Sequence, residues 1–273
     1  LFKFLFSLIV LGSLGYGVWR VAESHPEIKD RAIQYLPSSS FSALEPRFTA
    51  SQIMDSQRSS LLKDSREQFG DFALLYQPFL LMEVKFTRPN HTTGEGVILW
   101  DLMDGEMVLD TQTWEKSHGF ADCIHMRADP YELKIISTIA HHDNRADRQT
   151  LFQSLNLEGT LLDAWIDRCI KKKLIVCHQG IYRIHLESPK MAFTPITQVS
   201  FPLISKNSKH PEKMTRNFSK TQIMRVAEAA FGEDFAIRQT HEIYLPIYAI
   251  TTQNSDGSHQ TSYWNALNGV MLD

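Results

Sequence analysis

Three short blocks of this chain recur in one order, with a different stretch of sequence between the two sets. Phe48-Thr-Ala-Ser-Gln-Ile-Met54 returns as Phe218-Ser-Lys-Thr-Gln-Ile-Met224. Tyr76-Gln-Pro78 returns as Tyr244-Leu-Pro246, and Trp100-Asp-Leu-Met-Asp-Gly105 as Trp264-Asn-Ala-Leu-Asn-Gly269. Met107-Val-Leu-Asp110 is echoed by Val270-Met-Leu-Asp273. A period this long marks a duplicated domain, because solenoid repeats run at 20–50 residues. The recurring residues are aromatics, prolines and Asp/Asn-Gly pairs, which start strands and make tight turns. The expected fold class is therefore α+β, with two duplicated helix-plus-antiparallel-sheet units, A over 48–118 and B over 218–273.

Unit B is the more legible copy. Ser219 or Thr221 can cap a helix whose Ile223, Val226, Ala227, Ala230 and Phe231 form one apolar stripe, and Gly232 stops it. Tyr244–Thr252 is rich in aromatic and β-branched residues and reads as a strand. Asn254-Ser-Asp-Gly257 is turn chemistry, Gln260–Trp264 a second strand, and Asn268-Gly269 a tight turn before a short third. The small sheet is expected to bury one face against its own helix. This pattern resembles the PepSY family of small α/β modules, on the Ala-containing helix, Tyr248, Asp256-Gly257 and Asn265-Ala-Leu-Asn-Gly269. The resemblance implies a place outside the cytoplasm or on a membrane protein. Unit A departs from it, with Asn90–Gly96 at the turn and polar Ser56, Gln57 and Ser60 in the helix predicted over Ser51–Leu62.

The one strongly apolar tract is residues 1–22, uncharged from Phe4 to Trp19 and flanked by Lys3 and Arg20. It is slightly short of the roughly 20 apolar residues that span a bilayer, and snorkelling of the flanking charges closes the gap. A single-pass membrane anchor is expected, with a cleaved signal peptide as its rival. Arg20, Lys29 and Arg31 against Lys3 favour the cytoplasmic side for the remainder. Three cysteines without a CxxC suit packed thiols better than a disulfide framework. Residues 23–47 read as a linker broken by prolines. Residues 188–217, with four prolines and five basic residues against Glu212, read as a solvated basic linker.

Between the units, 128–187 has its own logic. Asp129-Pro130 starts a helix carrying Leu133, Ile136, Ile139 and Ala140. Asp147 starts a second. A third follows Glu158-Gly-Thr160, with Leu161, Leu162, Trp165, Ile166, Cys169 and Ile170 assigned to its buried face. Leu174–Cys177 and Ile181–Leu186 then read as a hairpin. Three helices and a hairpin in this order resemble the winged-helix fold, most specifically over residues 161–186. The resemblance raises DNA binding, and charge opposes it. Eight acidic residues in the module balance eight basic ones. Asp163 and Asp167 would stand on the exposed face of the third helix, where a duplex presents phosphates.

No motif for nucleotide, hydrolase or metalloprotease chemistry occurs. Cys123-Ile-His125 and His141-His142 lack the spacing of a closed zinc site. Asp101, Asp104 and Asp110 look like paired carboxylates, but unit B has Asn265, Asn268 and Asp273 there, an exchange that backbone capping tolerates and acid–base chemistry does not. Unit A continues through Thr113–Phe120 without a counterpart in unit B. The candidate partner-contact residues are Trp114, His118, Asp163, Asp167, Arg168, Lys171 and Lys172, with no catalytic, cofactor or metal residues among them. The reading is a membrane-tethered, non-enzymatic interaction or scaffold protein with a protein partner and no cofactor. The alternative is a membrane-bound winged-helix transcription regulator.

Overall fold

The computed structural model describes residues 40–88, 90–207 and 211–272. Residues 1–22, expected to be a membrane anchor, lie outside them. Among the described residues no helix is long and apolar enough to cross a membrane. The fold is mixed α+β, with seven helices among the described residues and one large sheet.

Two long strands, β2 (Gln68–Thr87) and β10 (Ala236–Gln253), form the middle of that sheet and run antiparallel along nearly their whole length. Both far exceed the strands expected from the sequence. Their middles are buried on both faces, so the alternation that would reveal a strand is missing. β3 (Thr93–Asp101), β4 (Met107–Asp110) and β5 (Glu115–Lys116) extend the sheet beyond β2. β11 (His259–Asn265) and β12 (Met271–Leu272) extend it beyond β10.

The recurring blocks occupy matching positions about the centre of this sheet. Tyr76 stands opposite Pro246, and Pro78 opposite Tyr244. Each proline sits where the neighbouring hairpin strand has just ended: the Pro78 carbonyl accepts from Leu102 N–H at 3.1 Å, and that of Pro246 from Ala266 N–H at 3.1 Å. A central proline is tolerated there because no ladder partner needs its missing N–H.

The helices depart from expectation. α1 (Ala50–Ser56) and α2 (Arg58–Leu61) replace the single helix predicted over 51–62, which breaks at Gln57. Thr49 closes a capping box on Gln52, and Ser219 closes the same box on Gln222 at the head of α7 (Lys220–Phe231). Neither helix lies mainly against the strands that follow it. Ala50 and Ile53 of α1 pack with Tyr248, Ile250, Trp264 and Ala266, all from β10, β11 and the turn after them. Ile223, Val226 and Ala227 of α7 share a core with Leu80, Met82, Ile98 and Trp100 of β2 and β3.

The chain before each helix follows suit. β1 (Ser40–Leu44) pairs in parallel with β10 at Ile243 and Tyr244, while Lys213 bridges Tyr76 of β2. Residues 40–44 are thus a strand of the sheet and no tether. Phe48 N–H donates to the Ala266 carbonyl at 2.9 Å, and Phe218 N–H to that of Leu102 at 3.0 Å.

The chain after β5 forms α3 (Phe120–His125), which no sequence signal announced. Then come α4 (Pro130–His141), β6 (Arg145–Asp147), α5 (Arg148–Leu155), α6 (Gly159–Lys171), β7 (Ile175–His178) and β8 (Ile181–Ile184). The three short strands pair in the order β6-β8-β7. Asp129 caps α4 with Pro130 at its first position, and Leu133, Ile136, Ile139 and Ala140 are buried as expected. On α6, Leu162, Trp165, Ile166 and Cys169 are buried, but Leu161 and Ile170 are 44% and 38% exposed, against the expectation that both point inward. The buried residues of α4 and α6 are continuous with those of α7, β2 and β3 in one core.

Residues 188–217 are not a free solvated linker. Met191, Phe201 and Arg216 are buried, and β9 (Leu203–Asn207) pairs antiparallel with β1. Thr197 is fixed between β3 and β4: its N–H donates to Val97 at 2.7 Å, its hydroxyl accepts from Leu99 N–H at 2.8 Å and donates to the Val108 carbonyl at 2.5 Å. The segment is a strap that closes one edge of the sheet.

Candidate functional site

The face of the sheet opposite α1 and α7 carries a groove of about 980 Å³. Its floor includes Gln77, Ile247 and Asn265, and Trp114, Lys116 and His118 stand on one side. Residues 111–118 reach this place because β4 and β5 form a tight hairpin whose intervening loop carries Trp114 over the sheet. Trp114 adopts a left-handed backbone (φ 61°) and packs edge-on against Phe79, with ring centroids 5.6 Å apart. Its indole Nε1 is buried without a hydrogen-bond partner among the described residues.

Asp101, at the end of β3, is wholly buried beside the groove. One carboxylate oxygen caps the turn by accepting from Met103 N–H at 2.8 Å. The other accepts from Gln77 Nε2 at 2.6 Å and from Lys116 Nζ at 2.7 Å. Lys116 also donates to Asp104 at 2.5 Å. Burial, with the nearby charge of Asp104, pushes the Asp101 carboxyl up to about 6 despite the opposing pull of Lys116. Lys116 moves upward: burial alone would lower it, but Asp101 and Asp104 more than offset that.

A second buried carboxylate, Glu106, accepts from Ser117 Oγ at 2.5 Å and from Gly119 and Ala121 N–H at 2.9 and 3.0 Å. It satisfies the otherwise unpaired amides that open α3. Its pKa is raised by burial, which these hydrogen bonds oppose. The groups nearest the groove are therefore tied into fixed structural contacts.

The counterpart turn shows what is shared. Asn265 Oδ1 accepts from Leu267 N–H at 2.8 Å, as Asp101 does from Met103, and Asn268 accepts from Val270 N–H as Asp104 does from Glu106. The capping role that tolerates Asp or Asn is present at both turns. The contacts to Gln77 and Lys116 have no counterpart among the described residues: Leu245 stands opposite Gln77, and Asn265 Nδ2 is buried without a partner there. Gln77, Glu106 and Ser117 carry no motif that would mark them in the sequence. The available signal was position, since Gln77 is the variable residue of Tyr-x-Pro and Lys116 and Ser117 lie in the stretch unique to the first copy.

The candidate partner-contact residues fall in two separate places. Trp114 and His118 line the groove, where His118 is exposed and its backbone pairs with Lys190. Asp163, Asp167, Arg168 and Lys171 lie exposed on α6, with Lys172, half-buried, at its end. Arg148 holds Asp163 by two bonds of 2.7 and 2.9 Å, which lower the Asp163 carboxyl. Arg168 pairs with Asp129 at 3.0 Å, and Lys172 with the buried Glu132 at 2.7 Å. A shallow depression of about 420 Å³ opens among Tyr131, Leu161, Ala164, Trp165 and Arg168.

Among the described residues no group of three or more His, Cys, Asp or Glu side chains is placed to hold a metal ion. Cys123 and Cys169 are buried thiols, the latter pushed up to about 12 mainly by burial, and Cys177 is exposed. No protein-family model, curated protein or solved structure matches the chain.

Proposed function

We propose that this chain is a membrane-tethered, non-enzymatic interaction protein, built from two copies of one PepSY-like unit that exchange helices around a shared sheet and carry a winged-helix module. Matched contacts support the duplication: Phe48 and Phe218, Ala266 and Leu102, Pro246 and Pro78 make the same hydrogen bonds in each half. The element order α4, β6, α5, α6, β7, β8 supports the winged helix. The membrane tether rests on the apolar run from Phe4 to Trp19.

The outward face of α6 carries the choice of a protein partner over a duplex. On a winged helix this is the surface offered to a DNA groove. Here it presents Asp163, Ala164, Asp167 and Lys171, with Leu161 and Ile170 exposed at its opposite margins. The nearby cations Arg148, Arg168 and Lys172 are engaged by Asp163, Asp129 and Glu132, which leaves Lys171 as the exposed cation on the helix. A phosphate backbone rewards free Lys and Arg through counterion release and is repelled by carboxylates, whereas a protein surface accommodates this mixture of acidic and apolar side chains.

A topology reporter placed after Asp273 tests the tether. Activity on one fixed side of the membrane, lost when residues 1–22 are deleted, is the expected result. A reporter released in soluble form by the intact chain would contradict it. An extracytoplasmic signal would additionally remove every DNA-reading role.

A further inference from the structure

The strap through Thr197 closes the outer edge of β3, and the matching edge of β11 is open among the described residues. From the register of the recurring Trp, Trp100 corresponds to Trp264, so Val97, Leu99 and Val108 correspond to Thr261, Tyr263 and Leu272, one residue off the echo of Met107–Asp110 read from the sequence. The ladders agree: Leu99 pairs with Val108 and Trp100 with Met107, as Tyr263 pairs with Leu272 and Trp264 with Met271. In the first half the Thr197 N–H reaches Val97, and its hydroxyl bridges Leu99 and Val108. In the second half, β12 pairs only Tyr263 and Trp264 of β11. Thr261 and Tyr263 are exposed. The Thr261 backbone groups point away from β10, since Thr251 and Thr261 face each other closely enough for their hydroxyls to bond at 3.1 Å, the mark of a non-hydrogen-bonded pair.

We infer that the β11 edge receives an extended peptide segment of a protein partner, in the way the chain's own residues 196–198 fill the β3 edge. This rests on the duplication proposed above and concerns a surface separate from α6. The filled site indicates what the peptide must carry. A Ser or Thr belongs in the place of Thr197, because its short hydroxyl accepts from one strand and donates to the other through a single atom. The preceding residue should differ from Ile196. Ile196 lies over Gly96, where a Cβ would come within 3.2 Å of its Cγ1. The residue matching Gly96 is Gln260, whose side chain occupies that space and lines a cavity of about 680 Å³ with Gln57, Ser60, Lys63 and Glu67. A small polar residue fits there and isoleucine does not. Main-chain pairing supplies affinity in such strand addition, and alternate side chains supply selectivity.

The test uses the intact protein and a fluorescent peptide of its own residues 194–201 carrying Ile196→Ser. Saturable binding is expected, weakened roughly tenfold by Thr197→Val in the peptide and by N-methylation of the peptide's Thr197 amide, which remove the hydroxyl and the N–H that reach the strand. The unaltered peptide should bind more weakly than the Ile196→Ser form. Amide exchange at Tyr263 of the protein, the counterpart of the Leu99 N–H that Thr197 engages, should slow on saturation. No binding, or unchanged exchange at Tyr263, would overturn the inference. So would an N-methylated peptide of unchanged affinity. Concentration-dependent dimerisation that competes with the peptide would assign the edge to a second copy and overturn it equally. Duplex binding by the whole chain would count against the α6 reading and leaves these outcomes untouched.

Discussion

Gln77 stands directly opposite Leu245 at the middle of the β2–β10 ladder. Around that pair the Tyr of each recurring Tyr-x-Pro faces the Pro of the other, so the variable residue of the motif stands at the centre of the pattern. The difference matters, because Gln77 ties the ladder to Asp101 and Lys116 on one side only.

Asp101 gives that asymmetry a pH signature. Its carboxyl is raised in the fold, so the protonated form is the better tolerated one. Its contribution to stability is fully present below the unfolded value near 4 and is lost as pH rises through about 6. Asp101→Asn removes the titration and sets an amide donor against the donors of Gln77 or Lys116, a loss of roughly 1–3 kcal/mol at pH 7. Urea midpoints measured from pH 4 to pH 7 should therefore vary less in the variant than in the parent.

Two equivalent glycines should respond unequally to the same change. Gly105 and Gly269 both hold positive φ, at 80° and 70°. A Cβ at Gly105 would come within 2.8 Å of the Phe218 ring, whereas at Gly269 its nearest contact with Phe48 is 3.6 Å. Both alanine variants incur about 1–2 kcal/mol of left-handed strain, and Gly105→Ala adds roughly 1–3 kcal/mol of overpacking. Thermal or urea unfolding should rank Gly105→Ala as the less stable of the two.

Thr197→Val keeps the shape of the strap and removes its hydroxyl. The Leu99 N–H and Val108 carbonyl then lose the group between them, for roughly 1–3 kcal/mol. Faster amide exchange at Thr197 and Gln198, with α4 unaffected, would mark local release of the strap rather than global loss.

Lys172→Met leaves Glu132, a fully buried carboxylate, with its Oε2 bonded only to Asp129 N–H. Removing one member of such a pair costs about 3–5 kcal/mol when wholly buried, and less here because Lys172 is partly exposed. Unfolding of the variant should show a clear loss, and Glu132→Gln in the same background should recover part of it.

These relationships were unevenly legible in the sequence. Local signals worked: Asp129-Pro130 opens α4, Ser219 caps α7, and the Asp/Asn exchange correctly indicated turn capping at Asp101 and Asn265. Which strands each helix covers was not readable, since an apolar stripe such as Ile223, Val226 and Ala227 fits either half of a repeated sheet. The length of β2 and β10 was hidden by burial on both faces. Prolines and charge disguised the strap, because its anchors are isolated residues, Met191, Thr197 and Phe201, that make no periodic pattern. On α6, periodicity assigned Leu161 and Ile170 to the core, where the helix already presents Leu162, Trp165, Ile166 and Cys169. The groove draws on Gln77 of β2, Lys116 of β5 and Glu106 of the β3–β4 turn, a convergence that only the tertiary fold creates.

We propose that the outward face of α6 serves a protein partner and not a nucleic-acid duplex. Titrating the whole chain into a fluorescent random-sequence duplex of about 20 base pairs, at roughly 50 mM salt where phosphate contacts are strongest, tests it most directly. No saturable rise in anisotropy is expected. Saturable binding that weakens steeply with added salt, and is lost when Arg168 and Lys171 are replaced by alanine, would contradict it.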